Sequence, residues 1–246
     1  QGFTGGFGIC LGQRFGAKDE DGMRRSAGIS WLLSLFFTIV LTLAGCLLAH
    51  PILYWMQTPQ GIYDDAYTYL FLILLGTGAT IFYNIVSNLL RALGDSKTPL
   101  IFLVISSLGN VGLDILFIVP LRMGVAGAAW ATVLSQLLSA FACALVGFRR
   151  YPALRGGCLT KKNFCSEVRS HLSIGFPMGF QMSVMCIGQL SMQAAVNALG
   201  PSAIAGYTAA TKVDQFSVLM NNAIGIATAN YVAQNYGAKL YGRIRA

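Results

Sequence analysis

An aspartate inside an apolar stretch is the side chain of this sequence best suited to chemistry. Asp114 is the only acid within the apolar stretches of the first 147 residues, and Asn110, four residues earlier, shares its helix face. At 1.5 Å per residue, Asp114 lies about 9 Å from Pro120, where its stretch ends. Thr132 lies about 12 Å from Gly124, where the next stretch begins. The oxygens of these three side chains can therefore share one level of two neighbouring helices.

Three oxygen-bearing side chains at one level of a membrane have two chemical uses and one structural use. Oxygen ligands suit a hard cation such as Na⁺, and a carboxylate deprived of water can instead hold a proton. A charge at membrane depth costs roughly 3 kcal/mol or more, so such a residue is a functional candidate by default. Alternatively, Asp114 bonds to Asn110 and Thr132 only to fix the packing of the helices.

Four polar side chains nearer the end of the chain form a second candidate set, for substrate contact. Lys212 and Asp214 lie two residues apart in an apolar stretch, so they point to different faces and cannot pair with each other. Gln193 and Asn197 share one face, where amides either bond neighbouring helices or contact a substrate. Each of the four needs a partner helix or a wet cavity.

Long apolar helices are the elements that must position these side chains. The chain is 55% hydrophobic and 11% charged, whereas soluble chains carry about a quarter charged residues. A helix needs about 20 apolar residues to cross a bilayer, and the continuous apolar stretches here lack the alternation of strands. The sequence therefore predicts an all-α, polytopic transmembrane bundle. Six complete spans are predicted, at residues 29–49, 67–90, 98–121, 125–147, 172–199 and 202–234.

The basic residues behind the formal charge of +8 are concentrated in the loops of one side of the membrane. Of the 17 Lys and Arg residues, fifteen lie in alternate loops and in the C-terminal tail, whereas the loops between them hold only Arg122. This positive-inside bias predicts cytoplasmic basic loops in a multi-pass protein of the cell membrane. The charge is thereby explained by topology, so the lipid bilayer is an expected partner and nucleic acid is not. The basic loops are residues 13–28, 91–97 and 148–171.

A repeated phrase organises the chain. Gly-Gln-Arg-Phe-Gly-Ala-Lys at residues 12–18 returns as Ala-Gln-Asn-Tyr-Gly-Ala-Lys at residues 233–239, an offset of 221 residues from Gln13 to Gln234. Each copy ends an apolar helix at a basic loop, and six spans lie between them. An even number of crossings returns the second copy to the same side, so the repeats are parallel, an arrangement found in secondary transporters.

The offset also predicts the domain organisation. Residues 1–147 are an N-terminal lobe without about its first two helices, 148–171 a cytoplasmic linker, and 172–246 the first two helices of a C-terminal lobe. Within the linker, Thr160 is expected to cap a short surface helix that ends at His171. The chain is thus predicted to be a fragment of a twelve-helix protein, inactive in isolation.

Four motifs give the chain a resemblance to a known family. The repeated phrase, Leu-Arg-Ala-Leu-Gly-Asp-Ser-Lys-Thr-Pro at 90–99, Gly-Val-Ala-Gly-Ala-Ala-Trp-Ala-Thr at 124–132 and Gly-Phe-Pro-Met-Gly at 175–179 occur in this order. They resemble the signature of the multidrug and toxic compound extrusion (MATE) family over essentially the whole chain. The resemblance implies two parallel six-helix lobes around a central cavity.

The resemblance also implies a function and a site. Members of the family export cationic and amphiphilic drugs and toxins in exchange for H⁺ or Na⁺, with no other cofactor, and a monomer is expected. Asn110, Asp114 and Thr132 match the cation- or proton-binding positions of the N-terminal lobe in part of the family. Met185 stands where some members carry a glutamate, which puts a Na⁺ site of that type in the second lobe in doubt.

Two other functions compete with drug export. A flippase for lipid-linked oligosaccharides would need a strongly cationic cavity for phosphate, and Lys212 is the only basic residue within the predicted spans. A membrane-embedded enzyme would need clustered acids and histidines, but His50 and His171 both lie at loop edges. The sequence therefore favours a transporter over an enzyme, with the flippase as the alternative.

Overall fold

Helices make up the regular structure of the chain. The computed structural model describes residues 2–55, 61, 63–157, 161–197 and 199–245, and contains no strand within these ranges. The all-α fold predicted from the sequence is therefore confirmed. The helices are α1 (Gly2–Gly16), α2 (Glu20–Trp55), α3 (Tyr63–Leu75), α4 (Thr77–Ala92), α5 (Lys97–Ile118), α6 (Gly124–Arg150), α7 (Lys161–Asn197), α8 (Pro201–Gly237) and α9 (Tyr241–Arg245).

Four helical segments in the described part of the chain are long and apolar enough to cross a bilayer. They are α2, α5, α6 and a segment formed by α3 and α4, which are separated only by Gly76. Helices α7 and α8 have 37 residues each, more than the about 20 that a span needs, but their amides and charges make them less apolar. Their spans, 172–199 and 202–234, stay predictions.

The turn between α4 and α5 shows how local chemistry ends one helix and begins the next. Gly94 has a φ of 87°, a left-handed conformation that glycine adopts without steric cost. The Asp95 carboxylate accepts hydrogen bonds from the backbone N–H and the hydroxyl of Thr98, at 3.0 and 2.8 Å, and so caps α5. Arg150 adds an ion pair at 3.1 Å. Burial acts to raise the pKa of Asp95, but these hydrogen bonds and the Arg150 charge together lower it.

The beginning of α7 differs from the prediction. A separate surface helix ending at His171 is expected from the sequence, but α7 runs unbroken from Lys161 to Asn197. No glycine or proline lies between Lys161 and His171 to stop the helix, and Pro177 is accommodated farther along. The predicted surface helix was therefore wrong, and its residues form the first turns of α7. Thr160, its predicted cap, lies outside the described residues.

A packed core lies at the end of the bundle that carries the basic loops, which we call the basic side. Phe7 of α1, Leu89 of α4 and Cys143 of α6 are fully buried there. Trp31 of α2 packs against this core, and its indole N–H donates to the Leu154 carbonyl at 2.9 Å. Most side chains of α5 are exposed.

Glycines bring α1 and α7 into close contact. A Cβ atom added at Gly2 would overlap the backbone at Gly179, and one added at Gly6 would overlap Gly175. Glycines four residues apart on both helices therefore let the two backbones approach, as is common between membrane helices. Beyond this contact, residues 180–192 of α7 are exposed. The two repeats thus touch along the part of α1 that the structure describes.

The repeated phrase folds into the same turn twice. Lys18, after α1, has a φ of 56°, and Lys239, after α8, has a φ of 59°. The Lys18 N–H donates to the Phe15 carbonyl and the Lys239 N–H to the Tyr236 carbonyl, both at 3.0 Å. Both pairs of positions are 221 residues apart. The internal repeat is therefore a repeat of backbone structure as well as of sequence.

Candidate functional site

A polar cavity lies between α4, α5 and α6. It has a volume of about 180 Å³ and includes two of the three predicted site residues, Asn110 and Thr132, in its wall. Asp114 lies one helical turn beyond Asn110 on α5. The other polar residues of the wall are Tyr83, Ser106, Ser107, Ser135 and Gln136.

Two buried polar atoms on this face of α5 have no hydrogen-bond partner in the described part of the chain. They are Oδ1 of Asp114 and Nδ2 of Asn110. Leaving a buried polar group unpaired costs about 1–3 kcal/mol, and more for a charged group, so native proteins pair nearly all of them. A bound cation or proton would satisfy the carboxylate oxygen, and a water molecule or a substrate acceptor would satisfy the amide N–H.

Hydroxyl groups hold α5 against α6 at this level. Ser106 of α5 donates to the Ser135 carbonyl at 3.0 Å, and Ser139 of α6 donates to the Phe102 carbonyl at 2.7 Å. The buried face of α6 consists of small residues at four-residue intervals, so the helices can approach closely enough for these bonds. These small residues are Gly127, Ala131, Ser135, Ser139, Cys143 and Gly147.

The Thr132 hydroxyl remains able to act as a ligand. Its proton is donated to the Ala128 carbonyl one turn earlier, at 3.0 Å. The hydroxyl oxygen keeps lone pairs that can face a cation. Tyr83 closes the α4 side of the cavity, and its hydroxyl is held by the Pro99 carbonyl at 2.9 Å. The wall is therefore built from three helices whose positions are fixed by hydrogen bonds.

The four candidates in the second repeat are not brought to this cavity. Lys212 and Asp214 are exposed on α8. Gln193 donates to the Asn197 side-chain oxygen at 2.9 Å, one turn along α7, in exposed surroundings. Each candidate thus stands on an exposed part of α7 or α8, and their contact with substrate stays a prediction.

The basic side contains an ion-pair cluster that the sequence analysis did not single out. Both oxygens of the buried Glu167 carboxylate accept hydrogen bonds from Arg14, at 2.8 and 2.9 Å. Arg25 lies 3.7 Å from the same carboxylate. Asp19 lies 3.5 Å from Arg14 and 3.9 Å from Arg25. The cluster therefore connects α1, α2 and the first turns of α7.

His171 extends this cluster into the core. Its Nδ1 lies 2.8 Å from the Glu167 carbonyl oxygen, which can only accept, so Nδ1 carries the proton. Nε2, 2.9 Å from the Ser26 hydroxyl, then accepts in the neutral ring. Burial lowers the pKa of His171, partly offset by the Glu167 carbonyl and carboxylate. The residue is therefore held as a neutral imidazole on the basic side, just before the predicted span 172–199.

Part of these contacts could have been anticipated from the sequence. Ser106 lies four residues before Asn110, and Ser135 lies three residues after Thr132, so the same helical spacing that joined the predicted site also places both serines beside it. The Arg14–Glu167 pair had no such signal, because 153 residues separate its partners. Only the repeated phrase, which contains Arg14, marked that region as significant.

Long apolar helices, alternating basic loops and an internal repeat define a polytopic membrane transport protein, and comparison with known proteins agrees. A model of the MatE family matches residues 1–116 and 177–246. The probable multidrug resistance protein YpnP of Bacillus subtilis is 33% identical over 227 residues, 92% of this chain and 51% of that protein. The chain belongs to the MATE family, whose members are transporters and not enzymes.

Further relatives agree in length and fold. The probable multidrug resistance protein NorM of Thermotoga maritima is 28% identical over 234 residues, 93% of this chain and 50% of that protein. A crystal structure of MATE in the bent conformation superposes with a TM-score of 0.89 at 24% identity, over 99% of this chain and 55% of that one. The chain thus spans about half the length of the curated relatives it matches.

Proposed function

We propose that the complete protein is a secondary active transporter that exports cationic or amphiphilic drugs in exchange for H⁺ or Na⁺. The chain would form part of both lobes of a monomer in the cell membrane, with its basic side in the cytoplasm. The multidrug resistance described for its relatives and its membership of the MATE family support drug export.

The observation that carries the proposal is the buried Asp114 carboxylate oxygen, which has no hydrogen-bond partner among the described residues and lies one turn from the cavity between α4, α5 and α6. A coupling ion must bind reversibly, so its ligands must be left unsatisfied by the protein itself. Asp114 meets that requirement through its buried Oδ1, and the lone pairs of the Asn110 side-chain oxygen and the Thr132 hydroxyl would complete the site. Ion binding at this level would change the relative stability of the two access states and thereby drive export.

The arrangement of the two repeats supports alternating access. They touch near the basic side, whereas residues 180–192 of α7 and 212–228 of α8 are exposed. If the basic side is cytoplasmic, this contact between the repeats closes the arrangement towards the cytoplasm. Parallel repeats that rock against each other about a central site would produce the opposite state.

Ethidium efflux from loaded cells that lack their own exporters tests this function. The complete gene product should export ethidium, and Asp114→Asn should abolish export, because an amide can neither carry the coupling proton nor neutralise a cation. Asp64→Asn, at an exposed acid in the first turn of α3, serves as the control and should export normally. A requirement for Na⁺ in the medium would identify the coupling ion.

Two results would contradict the proposal. Undiminished efflux by Asp114→Asn would make Asp114 a packing residue and would move the search to Asp214. No efflux by the wild type, tested with several cationic and amphiphilic compounds, would favour transport of a different substrate class, with the lipid-linked oligosaccharides of the flippase alternative tested next.

A further inference from the structure

We propose that Gly16 and Gly237, the last residues of α1 and α8, form a reciprocal contact that closes the transporter on its basic side. A Cβ atom added at Gly16 would overlap the carbonyl oxygen of Gln234, and one added at Gly237 would overlap the carbonyl oxygen of Gln13. Each copy of the repeated phrase thus places its glycine against the glutamine carbonyl of the other copy. This inference rests on the proposed alternating access.

Close approach, and not backbone conformation, is what requires glycine at these two positions. Neither Gly16 nor Gly237 has a positive φ, whereas the left-handed positions of the two turns are occupied by Lys18 and Lys239. Alanine would therefore be compatible with the helix at either glycine, and would favour the helix by about 1 kcal/mol over glycine. What alanine cannot do is occupy the space taken by the carbonyl of the opposite helix.

Two further bonds join the same surfaces. The Gln234 side chain of α8 donates to the Ala92 carbonyl at the end of α4, at 2.8 Å. Arg14, in the first copy of the phrase, pairs with Glu167 of α7. The Gln234 bond connects the second repeat to the first and so belongs to the closed basic side, whereas the Arg14 pair joins α1 to the first turns of α7, before the predicted span 172–199. The glycine contact sets how closely the helix ends approach, and these polar contacts hold them there.

Because the contact crosses between repeats, it stabilises only one of the two access states. A Cβ atom at Gly16 or Gly237 would raise the free energy of the state closed on the basic side and leave the state open on that side unaffected. The population should therefore shift towards the open state, in proportion to the difference between the two free energies. Loss of export would follow from the loss of one half of the transport cycle.

Distances between spin labels test this directly in the complete, purified protein. One pair of labels, at Ala17→Cys and Ala238→Cys, reports the basic side, and a second, at Leu121→Cys and Leu199→Cys, reports the opposite side, after replacement of the native cysteines. We expect Gly16→Ala and Gly237→Ala each to lose the short distance on the basic side and to gain a shorter distance on the opposite side. A reciprocal change distinguishes a shift between states from general loosening.

Two glycine positions without a close neighbour in the described structure provide matched controls. At Gly5 of α1 an added Cβ atom would meet only the Met178 methyl at 3.5 Å, and at Gly242 of α9 nothing lies within 4 Å. Gly5→Ala and Gly242→Ala should keep the wild-type distances. Gln234→Leu, which removes the bond to Ala92 without adding a clash, should shift both distances in the same direction but less.

Unchanged distances in Gly16→Ala and Gly237→Ala would overturn the inference. If either alanine variant does not fold, as judged by its elution as a single species, Gln234→Leu decides, and unchanged distances there would also overturn it. The distances are measured without transport, so a protein that fails to export ethidium but shows the reciprocal shift would contradict the proposed function and support the glycine contact.

Discussion

Two polar regions of this protein, the α5–α6 cavity and the ion-pair cluster of the basic side, are built in opposite ways. In the cluster, the buried Glu167 carboxylate has two arginine partners and His171 has both ring nitrogens bonded. At the cavity, Asp114 and Asn110 each keep a buried polar atom without a partner in the described chain. Both regions lie on rigid helices, so flexibility does not explain the difference.

The contrast indicates that the ion-pair cluster holds helices together, whereas the cavity is suited to bind a ligand. Glu167 and His171, whose buried polar atoms are paired, fix the helices that carry them and have no capacity left for a ligand, although Arg25 Nε in the same cluster has no hydrogen-bond partner in the described chain. An unsatisfied set costs stability and keeps its capacity to bind. Substitutions should therefore separate the two regions, because those at the cavity should change transport and those at the cluster should change stability.

Asp114→Asn should produce the largest effect and should change transport alone. Coupled ethidium efflux should fall to the background of cells without the transporter, while the apparent melting temperature of the purified protein stays equal or rises, because an unpaired charge is removed from low-dielectric surroundings. Efflux and thermal denaturation measured on the same preparations check this. A clear loss of both stability and activity would mean that Asp114 stabilises the helix packing. The cavity and the ion-pair cluster would then not differ in role.

Glu167→Gln should do the reverse. The amide leaves Arg14 and Arg25 without their carboxylate, and a lost hydrogen bond to a charged group costs about 1.5–3 kcal/mol. The melting temperature should fall measurably, whereas the Na⁺ or H⁺ concentration for half-maximal efflux should stay within error. Asp21→Asn, at an exposed acid of α2, is the control and should melt close to the wild type. An altered ion requirement in Glu167→Gln would show that the two regions are coupled.

The sequence predicts the fold better than it predicts the cluster. Apolar stretches of about 20 residues are a strong local signal, and the described helices follow the predicted spans closely. The cavity could also be predicted in part, because the four-residue spacing of Asn110 and Asp114 places them on one helix face. The arginine partners of Glu167 could not be predicted from the sequence, since they lie more than 140 residues away in the chain and no periodicity connects them.

The surface-helix error has a local cause; a second error is His50, which was predicted at a loop edge but lies within α2. Polarity near the start of α7 predicted a surface helix ending at His171, but polarity alone does not end a helix, and no glycine or proline lies between Lys161 and His171. His171 itself looked like a loop-edge residue, yet it is buried among Phe7, Ser26 and Glu167. Its burial depends on how α1 and α2 pack against α7, which is tertiary information.

The stability of the basic side should depend on pH, because folding lowers the pKa of His171. Its folded pKa is lowered from an ordinary value of 6.5, so above that pH both states are neutral and the stability is complete. As the pH falls below 6.5, the unfolded chain binds a proton that the folded protein resists, and stability declines by up to about 1.4 kcal/mol per pH unit until the folded pKa is reached.

The measurement is the melting temperature between pH 7.5 and 5, in wild type and His171→Gln. The glutamine variant cannot titrate, so the difference between the two proteins should shrink as the pH falls. Arg14 and Glu167 face the ring and are present in both proteins, so their own titration cancels in the comparison. A difference that stays constant with pH would mean that folding leaves the pKa of His171 unchanged.

The smallest effects should come from the serines that hold α5 against α6. The effect of each substitution on the ion requirement should decrease with its distance from the predicted ion site. Ser106→Ala removes the bond to the Ser135 carbonyl one turn from Asn110, worth about 0.5–1.5 kcal/mol. If that energy fixes the ligand positions, the ion concentration for half-maximal efflux should rise by about 2- to 10-fold, with the maximal rate unchanged.

Ser139→Ala removes a bond of the same kind two turns away from Thr132, so it should lower stability by a similar amount but change the ion requirement less. Ser173→Ala, at an exposed serine of α7 outside the cavity, should leave the ion requirement unchanged. Equal shifts in ion requirement for Ser106→Ala and Ser139→Ala would mean that the helix pair responds as one body. The unpaired atoms at Asp114 and Asn110 would then depend on the whole α5–α6 contact, and not on the bond nearest to them.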